Sequence, residues 1–298
     1  MTKSYHKTRL ILVIMIIIFN CAIIAWNEVK RKRGSELRLE VESIRVGYEN
    51  KTIVHDLSLQ IPDGKITTII GSNGCGKSTL LKAITRILKH ESGQVILDGQ
   101  NISKMNTKEL AKELAILPQS PESAHGLTVE ELVSYGRFPY QKGFGNLSQK
   151  DKDVIDWALQ VTKTEEFRLQ SVDALSGGQR QRVWIAMSLA QETDIIFLDE
   201  PTTYLDMAHQ LEVLELLYKL NEEQGRTIVM VLHDLNQAAR FSDYIVALSQ
   251  GELVKFGTAE EVMVPEVLKK VFNIDAVIGQ DPRTNKPMCI TYNLLQTV

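Results

Sequence analysis

The chain has 298 residues, 44% of them hydrophobic, 24% charged and 6% aromatic, with a formal net charge of −3 at pH 7. These averages exclude collagen-like, low-complexity and wholly disordered chains, and the length suffices for one large core or two modest ones. Three well-separated cysteines, Cys21, Cys75 and Cys289, exclude a disulfide framework and a four-cysteine zinc site.

The near-neutral charge is the sum of two unlike pieces. Residues 1–36 carry seven basic residues against Glu28 and Glu36, a charge of +5, which leaves −8 on residues 37–298. The leader holds an uncharged run from Leu10 to Trp26. As a helix it spans roughly 25 Å, the short end of what crosses a hydrocarbon core of about 30 Å. Trp26 and the basic cluster Lys30 to Arg33 suit the headgroup region. The leader reads as a single membrane anchor, as a secretory signal with Lys3, Lys7 and Arg9 for its basic end, or as a stretch ahead of a misassigned start. Against the signal, no small-x-small cleavage site follows, and Asn20 before Cys21 spoils a lipoprotein junction.

From Leu37 the pattern is mixed α/β. Alternation in LRLEVESIRV and IVHDLSLQI predicts two strands joined through a turn at Gly47 to Lys51, and Pro62-Asp63-Gly64 marks the next turn. Ile66 to Ile70 is a buried-type strand running into a glycine-rich loop. Helical periodicity follows, including TVEELVSYG and DKDVIDWALQVT. IIFLD, IVMVL and YIVAL then read as strands alternating with helices, the pattern of a parallel sheet with crossovers. After Asn273 a turn-rich DPRTNKP precedes CITYNLL, a last strand whose expected role is packing.

Three motifs carry chemistry. Gly71 to Ser78, GSNGCGKS, satisfies GxxxxGK(S/T) between a strand and a helix. Glycines there let successive N–H groups converge on a phosphate, aided by the positive helix end. Lys77 can reach the β- and γ-phosphates and Ser78 can ligate magnesium, while Cys75 supplies only a small side chain and its backbone. Ile195 to Glu200, IIFLDE, delivers two carboxylates at a strand's carboxyl end, where ligands bind in parallel sheets. Asp199 suits a magnesium ion and Glu200 the attacking water. Leu175 to Gln179, LSGGQ, is a second phosphate-binding helix start. A second anion site makes sense if two chains meet and each completes the other's nucleotide site.

With these motifs in this order, residues from Leu37 to about Val271 resemble the ATP-binding subunit of an ABC transporter. The resemblance implies a P-loop NTPase fold with a RecA-like parallel-sheet core, an N-terminal antiparallel β part, and a helical subdomain at about 120–180. Residues 37–272 then form the ATPase domain, 1–36 the leader and 273–298 a packing extension. It implies ATP and Mg2+ as ligands. Tyr48 falls where the family stacks an aromatic on adenine, Gln119 in ILPQS matches the Q-loop, TTYLD from Thr202 to Asp206 the D-loop, and His233 the switch histidine. The other described candidates for ATP are Gly71, Ser72, Asn73, Gly74, Cys75, Gly76, Lys77, Ser78 and Thr79, with Ser176, Gly177, Gly178 and Gln179 capping the nucleotide of a second copy in a head-to-tail dimer. Ser78, Gln119 and Asp199 are the expected magnesium-binding set; Glu200, His233, Lys77 and Gln119 the expected catalytic one. His6, His55, His90, His125 and His209 read as structural or solvated.

One apolar segment cannot form a translocation path, so the resemblance implies separate membrane permease subunits and, indirectly, a substrate-binding lipoprotein. Leu117 to Tyr140 resembles ATPases for ferric siderophores, with haem and cobalamin importers close by. Two departures stand out: Ser72 where proline is common in the phosphate loop, and Tyr140 where histidine often follows GRxP. An ABC ATPase acting on nucleic acid or ribosomes is disfavoured by one cassette, no heptads and a body at −8. A body needing ATP belongs on the cytoplasmic side of the membrane, which disfavours a cleaved export signal. The leader is then a dispensable stretch or misassigned start, with a single anchor as the alternative.

Overall fold

The computed structural model describes residues 37–49, 51–119, 124–141 and 146–295. The expectations for the leader lie outside the described residues. No helix among the described residues is long and apolar enough to cross a membrane.

In chain order, β1 (Leu37–Tyr48) and β2 (Lys51–Pro62) form the expected antiparallel pair. Next, β3 (Ile66–Gly71) leads through the glycine loop into α1 (Lys77–Ile84), and β4 (Ser92–Leu97) and β5 (Gln100–Asn101) return beside β1. After them come α2 (Thr107–Glu113), β6 (Leu114–Leu117), α3 (Val129–Ser134), α4 (Gln149–Val161) and α5 (Gly177–Ala190). The last third alternates β7 (Ile195–Leu198), α6 (Met207–Gln224), β8 (Thr227–Val231), α7 (Leu235–Phe241) and β9 (Tyr244–Ser249). It closes with β10 (Glu252–Gly257), α8 (Ala259–Val262), α9 (Pro265–Phe272), β11 (Ile274–Gln280) and β12 (Pro287–Leu294).

The described strands make three sheets: β2-β1-β4-β5, antiparallel; β10-β9-β3-β8-β7-β6, parallel except for the edge strand β10; and the hairpin β11-β12. This is the expected α/β architecture, with an antiparallel N-terminal sheet and a mainly parallel core.

The continuous apolar runs follow from burial on both faces of the core sheet. Ile70, Ile196, Leu198, Ile228 and Met230 point into one hydrophobic cluster with the helices. Their neighbours Ile69, Ile195, Phe197, Val229 and Val231 point into a second, shared with α1 and the N-terminal sheet.

Helix starts are local events. Thr128 with Glu131, Ser148 with Asp151 and Ser176 with Gln179 are capping boxes opening α3, α4 and α5, and Asp206 and Asp234 cap α6 and α7. Helix α6 stops at Gly225, whose φ of 60° carries no side-chain penalty.

Arg137, only 1% exposed, ties the segment after α3 to two helices. It donates to Asp151 Oδ1 at 2.8 Å, to the Ala190 carbonyl at 2.7 Å and to Glu192 Oε2 at 2.8 Å, and lies 4.1 Å over the Tyr140 ring. Tyr140, the residue departing from the family pattern, donates its phenol to the Gln191 carbonyl at 3.0 Å.

Candidate functional site

Strands β3, β6, β7 and β8, four of the five parallel strands, run the same way, so their carboxyl ends meet at one edge of the sheet. The phosphate loop leaves β3, Gln119 follows β6, Asp199 and Glu200 follow β7, and His233 follows β8. Ligands bind at this edge of open α/β sheets. An open cleft of about 550 Å3 lies here, lined by Tyr48 and Ile53, the loop residues Asn73, Gly74 and Gly76 to Thr79, and Gln119, Glu200, Thr203, Tyr204 and His233.

The loop's shape depends on glycine. Gly76, at the start of α1, has φ 106°, and a Cβ there would sit 3.3 Å from the Ile53 side chain. A Cβ on Gly71 would meet the Leu248 carbonyl at 2.5 Å, because the loop leaves the sheet hard against β9. Lys77 is buried, and its ammonium donates to the carbonyls of Gly71 at 2.9 Å and Ser72 at 3.1 Å. The cation is thus held at the loop's mouth by the loop's own oxygens. Cys75 is also buried, which pushes its thiol pKa up against the opposing pull of Lys77.

The two carboxylates have different surroundings. Asp199 is buried and accepts a hydrogen bond from Ser78 Oγ at 2.9 Å. Burial raises its pKa; the Ser78 hydroxyl opposes this and the neighbouring Glu200 charge adds to it. A desolvated carboxylate beside a hydroxyl offers hard oxygens and surplus negative charge, the donor set that suits Mg2+. Glu200 sits at φ 54°, a left-handed backbone that a non-glycine residue adopts at some cost and that turns its side chain back into the cleft. Its Oε2 accepts from Gln119 Nε2 at 2.6 Å and from Thr203 Oγ1 at 3.0 Å, and its Oε1 lies 2.7 Å from His233 Nε2. Three side chains from three segments therefore fix one carboxylate, leaving it little rotational freedom.

From sequence Thr203 is read only as part of the D-loop TTYLD; its bond to Glu200, three positions earlier, comes from their sharing one turn. Ile53 has no sequence signal as a site residue, because β2 reaches the cleft only through sheet packing.

Ser176, Gly177, Gly178 and Gln179 are not part of this cleft. Gln179 and Ser176 satisfy each other in the capping box, with Gln179 N donating to Ser176 Oγ at 3.3 Å and Ser176 N to Gln179 Oε1 at 2.9 Å. Ser176 and Gly177 are exposed. The segment packs against the first turn of α6: a Cβ on Gly178 would lie 3.3 Å from the His209 ring. His209 in turn lies 2.9 Å from Asp206 Oδ2. One chain therefore presents a phosphate loop with its carboxylates in one place, and a second helix start of the same chemical type in another.

The ABC transporter family model matches residues 54–203, from β2 through the phosphate loop to the turn after Glu200. The chain is 60% identical over 258 residues to the iron(3+)-hydroxamate import ATP-binding protein FhuC of Bacillus subtilis (strain 168), covering 87% of this chain and 96% of that protein. Among solved structures it is similar to a metal-chelate type ABC transporter in an inward-facing conformation, with TM-score 0.73 and 27% identity over 86% of this chain and 98% of that one. It also matches the dimeric bacterial ABC transporter cassette MJ0796, with TM-score 0.67 and 31% identity over 74% and 98% of the two chains. With its phosphate loop, paired carboxylates and second helix start in their places, the chain belongs to the ABC transporter family, as one of its ATP-binding proteins.

Proposed function

We propose that this protein hydrolyses ATP as a pair of identical chains to energise import of ferric siderophores, of the hydroxamate type, through separate permease subunits. Its place is then the cytoplasmic face of the membrane, bound through the permease. The observation that carries the ATPase reading is the meeting of Lys77, Ser78, Asp199, Glu200, Gln119 and His233 at the carboxyl ends of four parallel strands. The cargo rests on the 60% identity to a protein named for iron(3+)-hydroxamate import.

In this reading the N–H groups at Gly74 to Thr79 and the Lys77 ammonium hold the β- and γ-phosphates, and Tyr48 stacks on the adenine. Ser78 and Asp199 would hold Mg2+, with Gln119 nearby, and the ion bound there would supply charge neutralisation at the phosphoryl oxygens. Glu200, fixed by Gln119, Thr203 and His233, orients a water for in-line attack and takes its proton. His233 then turns from Glu200 toward the γ-phosphate. Ser176, Gly177 and Gly178 of the second copy supply the remaining N–H donors, which explains why they stand apart from the cleft in a single chain. Catalysis is mostly positioning and electrostatics, because phosphoryl transfer needs little covalent help from the protein.

The test is uptake of radioactive iron from ferric hydroxamates by cells lacking this chain. Uptake is lost, and returns with the intact chain but not with Lys77→Ala. Undiminished iron uptake accompanied by loss of haem or cobalamin import would overturn the siderophore assignment while leaving the ATPase in place.

A further inference from the structure

The hairpin of β11 and β12 is fastened to the short helix that carries His233 at its head. The imidazole sits two residues before α7, whose N-cap is Asp234, accepting from Gln237 N at 2.7 Å. Asn236, in the first turn, makes two bonds to the backbone of a single residue of β12: its Nδ2 donates to the Cys289 carbonyl at 3.1 Å and its Oδ1 accepts from the Cys289 N–H at 2.7 Å. At the other end of the helix, Lys286 reaches over from the start of the hairpin's second strand. Its ammonium donates to the carbonyls of Ser242 at 2.7 Å and Arg240 at 3.1 Å, groups that a helix C-terminus leaves without intrahelical partners. Burial lowers the Lys286 pKa, so the side chain is inserted into the contact and does not trail in solvent. A third link, Gln237 Nε2 to Gln210 Oε1 at 2.8 Å, joins α7 to α6.

A helix of seven residues has little stability of its own, so its placement is set by what holds it. Here both ends are held by the hairpin. We infer that the C-terminal hairpin is a brace that sets the position of His233 against Glu200, with Asn236 as the positioning residue at the near end and Lys286 at the far end. The inference rests on the proposed role of His233 in hydrolysis. It gives the hairpin a task beyond the packing expected of it: the 2.7 Å contact from His233 Nε2 to Glu200 Oε1 is maintained from outside the sheet, by residues that lie more than fifty positions later in the chain.

The test uses the full-length protein with Asn236→Ala, Lys286→Met and His233→Ala, alone and combined. Asn236→Ala is expected to lower kcat for ATP hydrolysis about five- to tenfold with KM for ATP changed less than twofold, since the phosphate loop is untouched. In the His233→Ala background the same substitution has no further effect, because it acts through the imidazole. Without nucleotide, the ring 15N signals of His233 shift or broaden in Asn236→Ala, and Lys286→Met, acting at the other end of the helix, does the same should Asn236→Ala not fold. Equal losses with and without His233, or unchanged His233 signals in both variants, overturn the brace. Near-normal hydrolysis in His233→Ala alone would instead overturn the role of His233 itself.

Discussion

Glu200→Gln separates the chemistry of this site from its architecture. The carboxylate accepts from Gln119 and Thr203 on one oxygen and contacts His233 on the other. Glutamine has the same length and adopts the same left-handed backbone at no extra cost, but it carries one acceptor oxygen and one amide in place of two acceptors. With that oxygen kept toward Gln119 and Thr203, the amide faces His233, whose neutral ring can accept. At most one hydrogen bond is lost, worth about 1 kcal/mol, so Tm moves by no more than about 2–4 °C. The proton acceptor proposed for water, by contrast, is gone. Loss of a general base costs about 10²–10⁴ in rate, or about 3–5 kcal/mol of barrier. The expected outcome is a folded protein that binds ATP with near-unchanged affinity and turns over at least a hundredfold more slowly in a single-turnover assay. Hydrolysis within threefold of the parent would refute the role given to Glu200. Loss of ATP binding would show that its hydrogen bonds hold the cleft together.

Two further substitutions probe the loop and its neighbour. Gly76→Ala forces a side chain onto φ 106° and against Ile53. The strain of about 1–3 kcal/mol is relieved by moving the loop, so ATP affinity measured calorimetrically falls by about five- to 150-fold, and affinity within twofold of the parent would contradict this. Asp199→Asn removes a carboxylate whose pKa is raised by burial. A raised carboxylate pKa means that ionisation opposes folding above the folded-state value and that the penalty fades as pH falls below it. In the nucleotide-free protein with chelator, the variant therefore melts higher than the parent at neutral pH, by about 2–4 °C for each kcal/mol recovered, and the gap narrows on acidification. Magnesium-dependent hydrolysis is lost. A lower melting temperature at neutral pH would contradict the electrostatic account of Asp199.

Much of this molecule is written locally. The apolar runs at Ile66 to Ile70 and Ile195 to Leu198 announce strands buried on both faces, since a half-exposed strand would alternate. The glycine spacing before Lys77 announces a phosphate loop, and Thr128, Ser148 and Ser176 each mark a helix start through a side chain three residues on. The second strand of the C-terminal hairpin was visible as CITYNLL. Its partner β11 was not, because Ile274 to Gln280 mixes glycine, aspartate and apolar residues with only part of one face buried.

By itself the sequence determined which residues are candidates for the chemistry: a lysine and serine after a glycine loop, two carboxylates at a strand end, a glutamine, a histidine, and a second helix start. These are properties of short segments, fixed by spacing and residue type. Tertiary structure alone decided which of them share a site. Gln119 and Glu200 are 81 positions apart and meet because β6 and β7 are adjacent and parallel, which brings their carboxyl ends side by side. Ser176 to Gln179 lie between that pair in sequence yet stand outside the cleft, at the head of a helix rather than the end of a strand. Arg137, unremarked within GRFPY, became a buried cation only once two helices closed on it with Asp151 and Glu192. Spacing along a chain reports what one segment can do; the order of strands in the sheet, which is not their order in the sequence, decides what the segments do together.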